Sequence, residues 1–517
     1  MSFPANPAVR GDFSDASARL RRVGAALRPF LLLILWTATV RLPFYGIANG
    51  DEFFFSVVAG EWLKGGLPYV DAFDIKPPGI FFIYAVVQAI FGASYATFKG
   101  MEIVAVAIGA WSLFIMLRPF GSGRLALWVA ALFPVYTLAF DGAAAVNMLL
   151  QLPFVIAAFA GVVAATNDDA RRPLAAAFLA GLAIGAAGMI KQTAVFEATA
   201  ACGLLAVYAG AARPKALAVF AAGAAVPALA FAAYFFLHGH LGDMFNSVVV
   251  LALQRLDDNV INAYGPQNAF ALTIPGAAIN AVLRSLPVIF LWGGAVFALL
   301  RLETVKSFVP LRVMVVAGTW LGFAFADVVF GRVLCDYYLL AIVPPLLILA
   351  GAFFCFGLHV APSHRQAAFW VSLVLGCVTL VYTEHSTLFG SDPLAVDSDL
   401  AARTADDLRA LGLEPGQRLL VVNRGLELYT ATGARPPTPY FHPTHLVSAF
   451  QTPSPDPLGA ALDADPRFIV LADPAIRHIT ELPGRMARVE GYLAEHYRLA
   501  ASEHGREDTY SIYAFVH

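Results

Sequence analysis

G50-D-E-F-F-F-S-V-V-A-G-E-W-L-K-G-G-L-P-Y-V-D-A-F-D-I-K-P-P-G79 is a polar segment between two strongly apolar parts of the chain. It holds five carboxylates and two lysines in thirty residues. Across the whole chain, hydrophobic residues make up 59% of 517 positions and charged residues only 14%. A soluble domain carries about 25% charged residues, so most of this chain is suited to lipid. The concentration of ionisable groups in one segment therefore indicates a function for that segment.

Other bulk features exclude several classes of protein. The formal net charge is −2 and there is no long Lys/Arg run, so nucleic-acid binding is not indicated. The four cysteines are widely spaced, which fits neither a disulfide framework nor a cysteine-based metal site. Acidic residues interrupt the N-terminal charged region, and no small-residue cleavage site follows the first apolar run. We therefore expect a retained membrane anchor instead of a cleaved signal peptide.

The distribution of basic residues predicts the orientation of the chain. Short cytoplasmic loops collect Lys and Arg, and a spanning helix needs about 20 mostly apolar residues. The arginines at positions 19, 21, 22 and 28 predict a cytoplasmic N-terminus and an extracytoplasmic position for the quoted segment. The next apolar run, 77–92, is short for a span. If it lies on the outer leaflet as an interfacial helix, every later basic loop is cytoplasmic, so we prefer that interpretation.

These rules predict a polytopic, mostly α-helical bundle of about eleven spans. The spans lie near 28–46, 100–117, 125–140, 147–166, 174–190, 194–212, 216–237, 281–300, 313–330, 337–357 and 367–384. From about residue 385 the chain is polar, with strand-like runs at 418–423, 467–472 and 510–516 and helix-like segments at 400–412 and 474–498.

The predicted domains follow from that change in composition. Residues 1–384 form the membrane domain, and its first extracytoplasmic loop, 47–99, carries interfacial helices. Residues 385–517 form a small α/β domain. An odd number of spans places this domain on the periplasmic side.

On this topology, polar residues at several points of the chain face the same side of the membrane, as a single extracytoplasmic cavity requires. Polar groups at membrane depth are costly and are usually functional. The candidates in the first loop are Asp51, Glu52, Asp74 and Lys76, and those after the third span are Asp141 and Asn147. Lys191 lies at the M189-I-K-Q-T-A194 junction, and Arg332 lies in G331-R-V-L-C-D-Y-Y338.

Several of these residues also have purely structural interpretations. Asp51 and Glu52 suit the first turn of a helix, where carboxylates favour the positive end of the dipole. Lys76 suits an interfacial position with its amine reaching toward water. Arg332 could pair with Asp336 four residues on. The histidines at 238 and 240 resemble loop residues more than a metal pair.

Together the candidates suit one kind of chemistry. Cations bind phosphate through charge-assisted hydrogen bonds, and a nearby carboxylate can remove the proton of a hydroxyl nucleophile. Surrounding lipid would admit a long apolar tail, so the combination indicates transfer of a group from a lipid-linked phosphate. A transporter or flippase of a lipid-linked sugar also needs a polar cavity, although the sequence has no repeated halves. A non-catalytic glycan-binding partner is a third alternative.

The pattern D51-E52…G65-G-L-P-Y69…F73-D-I-K-P-P-G79…Y84…F91-G92 resembles the first extracytoplasmic loop of GT-C glycosyltransferases. The most similar branch contains protein O-mannosyltransferases and lipid A aminoarabinose transferases, and is glycosyltransferase family 39-like. The stretches K191-Q-T-A194 and G331-R-V-L-C-D-Y-Y338 and the C-terminal α/β domain are also similar to that branch. The resemblance therefore covers most of the chain.

The resemblance implies a GT-C fold and an inverting transfer of a sugar from a polyprenyl-phosphate monosaccharide, with no metal cofactor expected. It implies that Asp51 is the general base with Glu52 beside it, and that Lys76 contacts the donor phosphate. Lys191 and Arg332 would add positive charge there, and Tyr69 belongs to the same motif.

Two positions depart from the pattern of that branch. Relatives often carry an acidic residue where Asn147 stands and a histidine where Asp336 stands. The second acidic residue of the site is therefore open, and Asp141 is the nearest substitute. Asp74 is a further acidic neighbour of the motif lysine.

We therefore predict a multi-pass glycosyltransferase, hexosyl or pentosyl, of the bacterial inner membrane. Its N-terminus would be cytoplasmic and its C-terminal domain periplasmic. Its partners would be a polyprenyl-phosphate sugar donor, a lipid, glycan or protein acceptor, and membrane lipids, with no nucleic acid. The sugar, the acceptor and the oligomeric state do not follow from the sequence.

Overall fold

The computed structural model describes residues 28–120, 123–167, 171–256, 270, 272–306, 309–332, 334–357, 371, 374, 378, 398–447, 452–473, 484–505 and 508–516. In these ranges the protein is mostly α-helical, with one small sheet near the C-terminus. The predicted combination of a helical membrane domain with a C-terminal α/β domain is therefore confirmed.

The described part of the membrane domain is a series of helices. They are α1 (28–41), α2 (Gly50–Leu63), α3 (Pro78–Phe91), α4 (Tyr95–Leu117), α5 (Arg124–Tyr136), α6 (Asn147–Ala165), α7 (Pro173–Gly188), α8 (Val195–Tyr208), α9 (Arg213–Leu237), α10 (Leu241–Gln254), α11 (Ile274–Arg284), α12 (Ile289–Leu300), α13 (Leu302–Val305), α14 (Leu311–Phe330) and α15 (Val343–Gly357). Within the described ranges, five helices are long and apolar enough to cross a membrane, or six if one bent pair counts as a single span. The figure of eleven spans stays a prediction.

The bent pair lies where the sequence predicts one span at 281–300. Instead, Ile274–Arg284 and Leu286–Leu300 meet at an angle of 49°. Pro287 follows the break, and its ring and missing N–H are incompatible with a continuous helix. The predicted span at 367–384 lies outside the described residues, apart from three isolated helical positions.

Helices α7 and α9 pack backbone against backbone. A Cβ on Gly181 would lie 2.0 Å from the carbonyl oxygen of Phe220, so only glycine fits at this contact. Small residues allow such close approach between helices in lipid, where van der Waals packing drives association. The contact fixes α7, and the 189–194 junction begins directly after that helix.

The first loop forms two helices on the membrane domain. Asn49 caps α2, and a capping box with Glu52 satisfies the free N–H groups of its first turn. Helix α3 begins after Pro77 and has 14 residues, fewer than the roughly 20 that a span requires. It buries Ile80 and Phe81 on one side. Other apolar side chains of α3, such as Phe91, are exposed. The length of α3 fits an interfacial helix, and the interfacial position stays a prediction.

The C-terminal domain is a four-stranded sheet covered by short helices. The strands are β1 (Leu419–Val422), β2 (Phe468–Asp473), β3 (Tyr497–His504) and β4 (Thr509–Phe515), and the helices are α16 (Ser398–Ala410), α17 (Glu427–Thr432), α18 (Pro443–Val447), α19 (Pro457–Leu462) and α20 (Arg485–His496). The strand order is β1-β2-β4-β3, with β1 parallel to β2 and the other pairs antiparallel.

Three strands and two helical segments of this domain were predicted, but β3 was not. The helix-like segment at 474–498 contains α20, and the chain then turns into β3, an edge strand with mostly exposed side chains. An exposed edge strand has no continuous buried face, so it lacks the apolar pattern by which strands are recognised. Residues 474–483 lie outside the described ranges.

Candidate active site

The N-terminus of α2 connects the first loop to the turn before α6. Glu52 is 1% exposed. Its Oε2 accepts the N–H of Asn49 at 3.0 Å, and its Oε1 accepts the N–H of Ala145 at 2.6 Å. Burial raises the pKa of Glu52 to about 7. Both oxygens are therefore engaged with backbone, and the geometry gives Glu52 a positioning role beside the candidate base.

Asp51 points toward a different partner. Its Oδ2 accepts a hydrogen bond from the phenol of Tyr337 at 3.1 Å. The Tyr337 ring meets Tyr338 edge to face at 4.9 Å, and the face of Tyr338 lies 3.8 Å from Nζ of Lys191. Nζ of Lys191 is also 3.9 Å from Oδ1 of Asp327. Three distant segments therefore converge around the Asp51 carboxylate and the Lys191 ammonium.

Lys76 lies at the end of a tight turn that its neighbours hold in shape. Tyr69 has a φ of 74°, and its phenol donates to the carbonyl of Lys76 at 2.8 Å. Asp74 accepts the N–H of Ile75 at 2.7 Å and the Lys76 ammonium at 3.4 Å. Burial lowers the pKa of Lys76, but Asp74 and Asp51 outweigh it and raise that pKa, so the ammonium stays charged.

The turn after Lys76 docks directly on the junction between α7 and α8. Gly79 donates its N–H to the carbonyl of Met189 at 2.7 Å. A Cβ on Gly79 would lie 2.4 Å from that oxygen, so the approach requires glycine. The amide of Gln192 donates to the carbonyls of Ile75 at 2.6 Å and Val248 at 3.1 Å. The K-P-P-G and K-Q-T motifs are therefore neighbours in space.

Asp141 and Asn147 lie in the turn between α5 and α6. Asp141 has a φ of 55°, in the left-handed region. Asn147 is the first residue of α6, is 2% exposed, and its Oδ1 accepts the N–H of Met148 at 2.8 Å. That short bond turns Asn147 back onto its own helix. The structure therefore gives Asn147 a role in starting α6, and Asp141 stays a candidate for the second acidic position.

A buried ionic cluster holds this turn against the bundle. Arg41 and Lys99 both pair with Glu102, at 2.5 and 3.1 Å, and all three are at least 95% buried. Arg41 also donates to the carbonyl of Gly142, and Lys99 donates to that of Ala143. This cluster was not predicted, because Arg41 of α1 and the pair Lys99 and Glu102 of α4 meet only in the folded protein.

The arginines of the site come from two further loops. Arg332 has a φ of 56° and donates to the carbonyl of Leu256 at 2.5 Å. The pairing with Asp336 considered above does not form, since Asp336 pairs with Arg284 at 2.6 Å. Arg255 acts as a neighbouring charge that lowers the pKa of Lys76. Among the described residues, no group of three His, Cys, Asp or Glu could hold a metal ion.

Comparison with known proteins identifies the fold. No protein-family model matches the sequence, and no curated protein matches it either. ArnT from Cupriavidus metallidurans bound to undecaprenyl phosphate has a TM-score of 0.61 at 14% identity, covering 95% of this chain and 98% of that chain. The same protein in the apo state has a TM-score of 0.57 at 13% identity, covering 96% and 98%. The chain has the GT-C fold.

The arabinofuranosyltransferase AftD from mycobacteria shares this fold within a longer chain. Its TM-score is 0.53 at 13% identity, and the match covers 95% of this chain and 40% of that one. At such low identities the likeness concerns the fold alone. The fold implied by the first-loop motif is confirmed, while the roles of individual residues stay predictions.

The partners of the predicted site residues do not follow from the sequence. Tyr337 and Tyr338 stand in the quoted stretch 331–338, but their position beside Asp51 and Lys191 is tertiary. Asp327 belongs to a long apolar helix, where a lone carboxylate was the one available signal.

Proposed function

We propose that this protein transfers a monosaccharide from a polyprenyl-phosphate donor to a hydroxyl group at the extracytoplasmic face of the membrane. The observation that carries the proposal is the convergence of a tyrosine-bound carboxylate, Asp51, with the cations Lys76 and Lys191. It is supported by the shared fold with the ArnT structure that binds undecaprenyl phosphate. The convergence of these side chains and the shared fold both support the chemistry expected from the sequence.

In the proposed reaction, Asp51 accepts the proton of the acceptor hydroxyl. The hydroxyl oxygen then forms a bond to the anomeric carbon of the sugar, and the bond from that carbon to the phosphate oxygen breaks. The phosphate leaves on its lipid with the bonding electron pair. A single displacement of this kind inverts the anomeric configuration. The hydrogen bond from Tyr337 would hold the Asp51 carboxylate in position for the proton transfer.

The cations act on the leaving group. Negative charge grows on the phosphate oxygen as the bond to the sugar breaks, so fixed positive charges stabilise the transition state more than the ground state. Lys76 is the first candidate because Asp74 and Asp51 keep it charged. Lys191 and Arg332 would complete the phosphate site, with Tyr69 and Asp74 maintaining the Lys76 turn.

The proposed setting is the bacterial inner membrane, with a cytoplasmic N-terminus and the C-terminal domain in the periplasm. The acceptor would be a lipid, a glycan or a protein. The transferred sugar would be a hexose or a pentose.

The deciding experiment compares wild type with Asp51→Asn, using radiolabelled polyprenyl-phosphate sugars and a set of hydroxyl acceptors. We expect transfer by wild type and a loss of about 10²- to 10⁴-fold in the variant, the range for removal of a general base. Undiminished transfer by the variant would exclude Asp51 as the base. Translocation of the lipid in vesicles without release of sugar would favour a flippase instead.

A further inference from the structure

A segment of the C-terminal domain reaches into the first loop beside the candidate site. This segment is P439-Y-F-H-P-T-H445. The carbonyl of Pro439 accepts the N–H of Phe73 at 3.0 Å. The ring of Phe54 packs against Phe441 at 5.1 Å and edge to face against His442 at 4.7 Å. The two domains are therefore in direct contact through aromatic side chains of α2.

His442 and Lys76 lie against the same ring. Nζ of Lys76 is 5.8 Å from the centroid of Phe54, which also contacts His442. Asp51, Lys76 and Arg255 all act electrostatically on the His442 imidazole. The contact and these charges place His442 at the edge of the proposed phosphate site, on the side that the C-terminal domain covers.

The hydrogen bonds of His442 define its tautomer. Its Nδ1 accepts the backbone N–H of Thr444 at 3.2 Å and lies 2.6 Å from the hydroxyl of the same residue. A nitrogen that accepts a backbone N–H carries no proton, so the imidazole is neutral and Nε2 carries the hydrogen. Burial also lowers the pKa of His442 to about 4. Within the described part of the chain, Nε2 has no hydrogen-bond partner.

Lys76 and Lys191 supply the positive charge for the proposed phosphate site, so a neutral N–H donor at the edge of that site is placed for the part of the ligand next to the phosphate. In a phosphate-linked monosaccharide, the uncharged oxygens beside the phosphate are those of the sugar, namely its ring oxygen and the hydroxyl groups that extend outward from the ring. We propose that Nε2–H of His442 binds a hydroxyl group of the donor sugar, so that the C-terminal domain contributes directly to sugar recognition. This inference rests on the proposed function and extends it to a residue about 390 positions from Asp51 in sequence.

The test measures binding of lipids with and without a sugar to the full chain in nanodiscs. The probes are undecaprenyl phosphate and its mannosyl, glucosyl, galactosyl and aminoarabinosyl derivatives. We expect wild type to bind at least one sugar-bearing lipid more tightly than undecaprenyl phosphate. His442→Ala should weaken binding of that lipid by about tenfold, the upper range for one neutral hydrogen bond, and leave binding of undecaprenyl phosphate unchanged.

Three further variants test whether the loss of affinity is specific to His442 and to the sugar. His442→Gln retains an N–H donor and should recover most of the sugar-dependent affinity. His496→Ala removes an exposed histidine of the same domain, on α20, and should change nothing. Lys76→Ala should weaken binding of both kinds of lipid by the same factor, because it acts on the phosphate.

Several results would overturn the inference. Equal loss of both kinds of lipid in His442→Ala would assign the residue to the phosphate or to packing. Unchanged affinity of His442→Ala for the sugar-bearing lipid would show that His442 does not bind the sugar. A wild type that binds sugar-bearing lipids no more tightly than undecaprenyl phosphate would show the same. If wild type transfers sugar and Asp51→Asn does not, the proposed function stands, and either of these binding results rejects only the role of His442. Absence of both transfer and lipid binding in wild type would reject the proposed function itself.

Discussion

The phenol of Tyr337 donates a hydrogen bond of 3.1 Å to Oδ2 of Asp51, joining residues that are 286 positions apart in the chain. Asp51 is in the first turn of α2, and Tyr337 is in the 3₁₀ turn that leads into α15. The bond connects the first loop to the last described helices of the membrane domain. A carboxylate held in this way keeps one oxygen available for a proton while the other is fixed.

Removal of the tyrosine hydroxyl should weaken catalysis more than folding. A hydrogen bond to a charged group contributes about 1.5–3 kcal/mol, so Tyr337→Phe should lower kcat about 10- to 100-fold and leave the edge-to-face packing in place. The matched control is Tyr338→Phe, which keeps its ring over Lys191. Steady-state kinetics on both variants check this. A kcat of Tyr337→Phe close to that of wild type would show that the hydrogen bond to Asp51 does not contribute to catalysis.

A methyl group at Gly79 should separate the two cationic motifs. A Cβ there would lie 2.4 Å from the carbonyl oxygen of Met189, whereas a Cβ on Gly188 would have nothing within 4 Å. We expect Gly79→Ala to lower the midpoint of thermal unfolding and to reduce transfer at least tenfold, because Lys76 moves away from Lys191. Gly188→Ala should behave as wild type. A normal melting temperature with full activity in Gly79→Ala would contradict the docking described above.

The contact between the domains should depend on one ion pair. Arg435 of the C-terminal domain pairs with the buried Glu61 of α2, whose other partner is the exposed Lys64. Only the Glu61 carboxylate of this pair is buried, and without Arg435 it would keep the exposed Lys64 as its remaining cationic partner. Arg435→Ala should therefore lower the melting temperature more than Lys64→Ala.

The coupling can be measured with a double-mutant cycle. Arg435→Ala and Glu61→Gln should be non-additive by about 0.5–3 kcal/mol, the range for residues in contact. Thermal unfolding of the two single variants and the double variant gives this value. Additive effects would show that the two side chains do not interact across the domains.

The stability of the first loop should depend on pH through Glu52. Its pKa of about 7 in the folded protein is above the ordinary value of 4.5, because the carboxyl is buried. The folded state therefore binds the proton more tightly, and stability falls as pH rises from about 4.5 to about 7. Glu52→Gln cannot ionise and should lose this dependence.

Melting temperatures across that pH range check the prediction, with Glu303→Gln as a control. Glu303 is an exposed carboxylate on α13, and its replacement should leave the pH profile of wild type intact. A Glu52→Gln profile that runs parallel to wild type would show that Glu52 does not titrate in this range.

The polar positions of the site were predictable because lipid makes charge expensive. Lys76 belongs to the polar segment between two apolar parts of the chain, and Lys191 stands between two apolar runs; both lie where the first-loop and junction motifs meet in space. The pairing of each residue was not predictable. A pairing of Arg332 with Asp336 at helical spacing was one alternative from the sequence, but Asp336 pairs with Arg284 instead.

The amino-acid sequence by itself determined the membrane character of the chain, the separate C-terminal α/β domain and the location of the ionisable first loop. These features depend on composition and on local hydrophobic pattern, which each segment carries on its own. Only the tertiary structure decided that Tyr337 holds the Asp51 carboxylate while Glu52 caps α2. It also decided that His442 and Lys76 lie against the same Phe54 ring. Those contacts join residues far apart in the chain, and their geometry depends on how helices and domains pack against each other.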